Sequence, residues 1–350
     1  MGRSLRFGLS LVLVAGIFVF ALPKIADVSD VWGHIRAMTW LELATLLSFA
    51  IWNIVTYWFV MISSLPGSNV WQTMKINQAS TAVANTLPGG GAIAVAVTYG
   101  MYTSYGFDRS QIGLSVLVSG IWNNFVKLGM PVVALAFLAL QGNVGGGLVT
   151  ASLAGLAVLA LAVGLFAAIL ASERMARSIG GGMQKVWSAM RRLARSEKDT
   201  DLATATVDFR SRAITLVSRR WLQLTVASVI SHASLFLVLL LALRHVGVGD
   251  DAVGWAEALA AFAFVRLISA LPVTPGGLGV VELGLTAALV TAGGPEARVV
   301  AAVLVYRVLT YFLPIPFGLF MYVKYKRGST ARKARLEAAA SVRPVERPGT

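Results

Sequence analysis

Leu271-Pro272-Val273-Thr274-Pro275-Gly276-Gly277-Leu278-Gly279-Val280-Val281-Glu282 (LPVTPGGLGVVE) lies inside a long apolar region, yet it holds two prolines, three glycines and a carboxylate. Proline and glycine break a helix, and hydrocarbon offers no water to the backbone groups they free. A break there must be buried in protein or line a wet cavity. The apolar pieces on either side, Trp255 to Leu271 and Leu278 to Ala292, are each shorter than the ~20 residues that cross a ~30 Å hydrocarbon core. A re-entrant, broken helical hairpin over 255–292 fits this pattern better than two full crossings.

The rest of the chain supports a membrane setting. It has 350 residues, 57% hydrophobic and 13% charged, where a soluble domain would carry roughly a quarter charged residues. Full spans are predicted at Phe7 to Ile25, Trp40 to Leu65, Gln111 to Leu140, Leu148 to Ala171, Trp221 to His245 and Ala297 to Tyr325. The N-terminal run is kept as a first helix because no small-residue cleavage site follows it. A second pair of short pieces, Val70 to Leu87 and Ala92 to Tyr105, flanks Leu87-Pro88-Gly89-Gly90-Gly91 and predicts a first hairpin over 70–105.

Leu87-Pro88 precedes Leu271-Pro272 by 184 residues, and the same step carries Pro131 to a point between Pro314 and Pro316. Each half therefore reads span, linker, span, broken hairpin, long proline-containing span. The expected fold is an all-α polytopic membrane protein of about six full spans plus two re-entrant hairpins in an inverted-topology repeat, an arrangement associated with transporters. The first repeat covers 1–145 and the second 146–325, with a basic loop at 172–220. A disordered basic tail is expected over 326–350. Charge counting alone does not exclude ten spans, because full crossings by the short pieces preserve the same end parity.

The net charge of +14 is clustered: of 30 Lys and Arg, 11 fall between Ser172 and Arg220, eight from Lys324 onward, and two at Arg3 and Arg6. That is the positive-inside pattern of a bacterial-type inner membrane protein with both termini cytoplasmic. It favours anionic lipid as the partner of the basic loop and argues against nucleic acid. Met183, Val186, Trp187, Met190 and Leu193 recur at helical spacing among basic residues and suggest a stretch lying on the membrane surface. With no cysteine and three scattered histidines, no metal or other cofactor is expected.

Few charges remain near apolar segments. Arg244, Glu257 and Glu42 read as interfacial residues. Arg266 and Glu282 stand eight residues either side of Thr274, so a hairpin with its tip there sets them at similar depth on facing arms. They form either a stabilising pair or a phosphate contact with its counter-ion, since ionisable groups at membrane depth usually face a cavity or a partner. Arg307 follows on the next helix with Tyr306 and Tyr311; Lys127, Asn123 and Asn124 hold the matching positions of the first half, and Asn85 precedes the first break. The asparagines are equally compatible with interhelical glue. A helix starting near Gly277 would present unpaired N–H groups to an anion, which makes Pro275, Gly276 and Gly277 candidates for shaping the site.

RLISALPVTPGGLGVVELGL, followed by YRVLTYFLPIPFGLF, resembles the flippase-like domain family, the transmembrane region of lysylphosphatidylglycerol synthase/flippase proteins. TLPGGGAIAV is a looser match to that family's first-half motif and lacks the charged residues often found just after it. The resemblance runs from about Phe7 to Tyr325 and implies a domain that moves a phospholipid or lipid-linked headgroup between leaflets. Aminoacyl transfer in the two-domain relatives belongs to a soluble C-terminal domain. Only about 25 residues follow the last predicted span, so that activity is not expected.

The expected function is thus translocation of an anionic or zwitterionic lipid rather than an enzyme's chemistry. Arg266, Arg307, Tyr306, Lys127, Asn124 and Asn85 would contact the headgroup, and Glu282 would tune or release it. No P-loop supplies ATP drive. The alternatives are a lipid-phosphate transferase within the membrane or a transporter of a small soluble anion; a homo-oligomer is left open.

Overall fold

The computed structural model describes residues 28–87, 90–142, 146–178, 181–182, 184, 188, 202–269 and 274–342. The predicted first span (7–25), the tip of the first break (88–89), residues 270–273 and most of the amphipathic stretch at 183–195 lie outside them. The described chain is helical throughout, with no strand among the described residues. In order the helices are α1 (Val28–Arg36), α2 (Trp40–Ser64), α3 (Val70–Thr86), α4 (Gly90–Ser104), α5 (Arg109–Leu140), α6 (Gly146–Ala171), α7 (Leu202–His245), α8 (Trp255–Ile268), α9 (Val280–Thr291), α10 (Glu296–Arg307) and α11 (Pro314–Val342). A 3₁₀ turn, Pro275–Gly277, lies between α8 and α9, and a π turn, Val308–Phe312, between α10 and α11. Among the described residues, five segments are long and apolar enough to cross a membrane: 40–64, 109–140, 153–171, 206–245 and 296–328.

Two boundaries differ from expectation. α7 begins at Leu202, so the last part of the expected basic loop is helix continuous with the span. No proline or glycine interrupts 202–245, and nothing there stops helix propagation. Helix also continues past Tyr325 to Val342, where a disordered tail was expected; Ala, Lys, Arg, Leu and Glu dominate that stretch and are good helix formers.

α2 and α7 pack antiparallel along a polar seam. Thr45 Oγ1 meets His245 Nε2 at 3.0 Å, Asn53 Nδ2 donates to Ser231 O at 2.8 Å and to Ser234 Oγ at 2.9 Å, and Arg220 Nη1 reaches Ile62 O at 3.5 Å. The bundle therefore has one end marked by Ser64 and Arg220 and another marked by Trp40 and His245. α3 leaves from the first end, just after α2. α8 leaves from the second, just after α7 and a turn closed by the Arg244–Asp250 ion pair.

The short helices form two hairpins, α3/α4 and α8/α9, whose bases sit at opposite ends. α3 packs on α11 and α8 packs on α5. At the α3/α11 crossing Gly318 lies directly on α3: a Cβ there would collide with Gln78 O and stand 2.7 Å from Ala82 Cβ. Small residues let helix backbones approach this closely, as membrane bundles require. The main apolar core gathers Leu46 of α2, Leu239 and Leu243 of α7, Phe262 of α8, Leu285 of α9 and Val299 to Val303 of α10.

Candidate functional site

The break at 275–279 is held by backbone conformation first. Gly276, Gly277 and Gly279 have φ of 56°, 69° and 81°, which side-chain-bearing residues rarely adopt. Gly276 also lies against the Tyr311 ring so closely that a Cβ would collide with it. These turns start α9 at Val280, with Gly279 as N-cap.

A helix N-terminus exposes N–H groups and favours negative charge. Here the chain supplies that charge itself. Gly279 N donates to Glu282 Oε2 at 2.7 Å, and Arg307 Nε donates to Glu282 Oε1 at 2.7 Å. Arg307 Nη2 donates to Gly276 O at 3.2 Å, and its guanidinium lies 4.5 Å from the centroid of the Tyr311 ring. Glu282 and Arg307 are both buried. The expected anion cradle is therefore filled by Glu282, and the expected facing of Arg266 and Glu282 is corrected: Glu282 pairs with Arg307. α9 packs on both α8 and α10, with Gly284 against Val265 of α8, and it is the Glu282 carboxylate that reaches across to α10 rather than to Arg266.

The first hairpin reaches the same place. Asn85 Nδ2 donates to Tyr311 O at 3.1 Å, and Tyr311 Oη donates to Asn85 O. The Tyr311 carbonyl lies in the π turn, where Leu313 N bonds to Val308 O at 2.8 Å ahead of Pro314. Proline lacks the N–H that would continue the regular ladder, which explains the irregular register. Tyr311 thus joins Asn85, near the end of α3, to Gly276 in the second break, although the bases of the two hairpins sit at opposite ends.

Arg266 stands apart from this network. It lies near the end of α8, half-buried, and its Nε is buried with no hydrogen-bond partner among the described residues. It is within electrostatic reach of Lys127 on α5, His232 on α7, Tyr57 on α2 and Tyr306 on α10. Neither Arg266 nor Lys127 has a carboxylate within ion-pair distance among the described residues. His232 is buried with Nδ1 2.9 Å from Ser228 O, while Nε2 has no partner among the described residues. Tyr306 is buried against Phe262. Asn124 is exposed on α5 and does not join the group.

The structure thus sorts the candidates into two groups. Glu282, Arg307, Gly276, Gly277, Tyr311 and Asn85 make a closed network at the tips. Arg266 and Lys127, with His232 and Tyr57 within electrostatic reach of Arg266, make a second group whose two cations meet no carboxylate among the described residues. His232 and Tyr57 had not been singled out in the sequence, although a histidine in the middle of an apolar span was a visible signal. Nothing in the described side-chain contacts assigns Pro275 a direct role beyond shaping the turn.

The lysylphosphatidylglycerol synthase transmembrane-region family model matches residues 7–318. The chain belongs to this family. As a lysylphosphatidylglycerol synthase-type transmembrane region, it is a multi-pass membrane protein with a membrane lipid-related function. The match includes both hairpins, both groups of charged residues and all five described spans except the end of the last. None of the curated proteins compared with the chain matches it.

Proposed function

We propose that this domain translocates an anionic or zwitterionic phospholipid, or a lipid-linked headgroup, between leaflets without altering it chemically. The observation that carries this reading is uncompensated positive charge at mid-depth. Arg266 lies 11 residues, ~16 Å, along α8 from Trp255, half of a ~30 Å core. His232 lies midway between Trp221 and His245, and Lys127 near the middle of α5. Glu282 offsets Arg307 and leaves Arg266 and Lys127 without an anion. Charge at this depth is costly unless a partner neutralises it, and a headgroup phosphate is a partner of the right sign.

The architecture supports the same reading. Helices α3, α4, α8 and α9 are ~26, ~22, ~21 and ~18 Å long, too short for a comfortable crossing. Asn85 of the first and Gly276 of the second meet at Tyr311 although the hairpin bases lie at opposite ends, as two opposed re-entrant hairpins would. The packing of α3 on α11 is matched by that of α8 on α5, and the packing of α2 on α5 by that of α7 on α10. Such exchange between halves is what an inverted-topology repeat predicts. With the basic end cytoplasmic, the first hairpin enters from the cytoplasm and the second from outside.

Purified protein in proteoliposomes tests the reading. Unmodified phosphatidylglycerol moving between leaflets is the expected result. A chemically altered lipid would identify a transferase instead, and uptake of inorganic phosphate without lipid exchange would identify a soluble-anion transporter.

A further inference from the structure

The end of the bundle marked by Ser64 and Arg220 carries a second cationic feature, far from the hairpin tips. A cavity of about 330 Å³ opens there between the C-terminal end of α2, the start of α5 and α7, lined among others by Leu65, Leu114, Arg212, Thr215, Leu216 and Arg219. It falls within the ~300–1,000 Å³ of ordinary small-ligand sites. Arg212, Thr215 or Leu216, and Arg219 follow helical spacing, so two arginines stand two turns apart, ~10 Å, on one face of α7.

Charge in this cavity has one sign. No carboxylate pairs with Arg212, Arg219 or Arg220 among the described residues. Arg220 reaches Ile62 O near the C-terminal end of α2, which leaves Arg212 and Arg219 as the exposed cations beside the Thr215 hydroxyl. Arginine suits phosphate because its planar fork can donate two parallel bonds.

Depth and wall composition identify the source of that phosphate. Trp221 follows Arg220 directly and is exposed, as is Trp71 in the first turn of α3. Exposed tryptophans at span ends sit at headgroup level. Leu65, Pro66, Leu114 and Leu216 form an apolar wall beside the arginines, suited to the glycerol and upper acyl chain of a lipid rather than to a free ion.

We infer that this cavity binds the phosphate of an anionic phospholipid in the leaflet at the basic end, as a site separate from the mid-depth group around Arg266. The full chain in nanodiscs of phosphatidylcholine with increasing phosphatidylglycerol is the test, read by thermal unfolding. Wild type should be stabilised as phosphatidylglycerol rises, because a ligand that binds only the folded state shifts the transition. R212Q/R219Q should require at least about tenfold more phosphatidylglycerol for the same shift, since each charge-assisted contact contributes about tenfold. T215W, which fills the cavity and keeps its charges, should lose the shift as well. R174Q/R177Q, at the same end but outside the cavity, should keep it. An unchanged shift in both R212Q/R219Q and T215W overturns the site. An equal shift from inorganic phosphate in pure phosphatidylcholine nanodiscs overturns its assignment to lipid.

Discussion

At Glu282 a single carboxylate satisfies a helix N-terminus and a buried guanidinium together. Removing one partner of a buried ion pair strands the other, at a cost of about 3–5 kcal/mol. Glu282→Gln and Arg307→Gln should each destabilise the protein on that scale, and the double variant should lose less than the sum of the two. Unfolding in detergent, read as a double-mutant cycle, checks this; strict additivity would mean the pair is not coupled. Gly276→Ala should also destabilise, because its methyl meets the Tyr311 ring and its backbone is left-handed. The sequence showed that charge clusters at this break and that glycines shape it. It did not show which arginine Glu282 would meet, because that choice depends on how α9 is rotated and how α10 packs on it, contacts made across 25 residues.

At the scale of the elements, helix limits were legible because the breakers are local. Thr39 and Asn69 cap α2 and α3 through capping boxes, and Asp108 caps α5 through Ser110 N at 2.9 Å. Hydrogen bonds from Ser110 hold the Asp108 carboxyl below the usual carboxylate range. A depressed folded value means that its stabilisation is present at neutral pH and is lost as pH falls through that value. Asp108→Asn should therefore flatten the acid limb of the stability profile. The close approach of α3 and α11 was less legible, since a glycine in an apolar helix does not announce its partner. Gly318→Ala should cost about 1–3 kcal/mol through overpacking. Gly328→Ala, inside the same helix and with no atom near its Cβ position, should not destabilise and should gain up to about 1 kcal/mol of helix propensity in the same unfolding measurement.

At the scale of the whole molecule, the two breaks stand 184 residues apart in the sequence, and the structure brings Asn85 beside the first and Gly276 in the second to Tyr311. The meeting point itself was not readable, because it needs two hairpins to enter from opposite ends and a π turn to free a carbonyl for Asn85. The group around Arg266 was partly legible: Arg266 and Lys127 stood out as charges in apolar surroundings and His232 as a histidine within an apolar span, while Tyr57 was hidden among residues that serve ordinary packing. The native chain has no cysteine, so single cysteines report topology cleanly. Opposed re-entrant hairpins predict that cysteines at Ser68 and Gly106 label from the basic side and those at Ala252 and Gly293 from the other. Labelling of Ser68 and Gly106 from different sides would contradict a hairpin that returns to its own surface.

The central claim is that a lipid phosphate passes the unpaired cations at mid-depth, and leaflet exchange of headgroup-labelled phosphatidylglycerol in proteoliposomes tests it most directly. Wild type should accelerate exchange over protein-free vesicles, and Arg266→Gln and Lys127→Gln should each slow it by about tenfold or more while unfolding like wild type. Exchange that continues at the wild-type rate in a well-folded Arg266→Gln, Lys127→Gln double variant would contradict it.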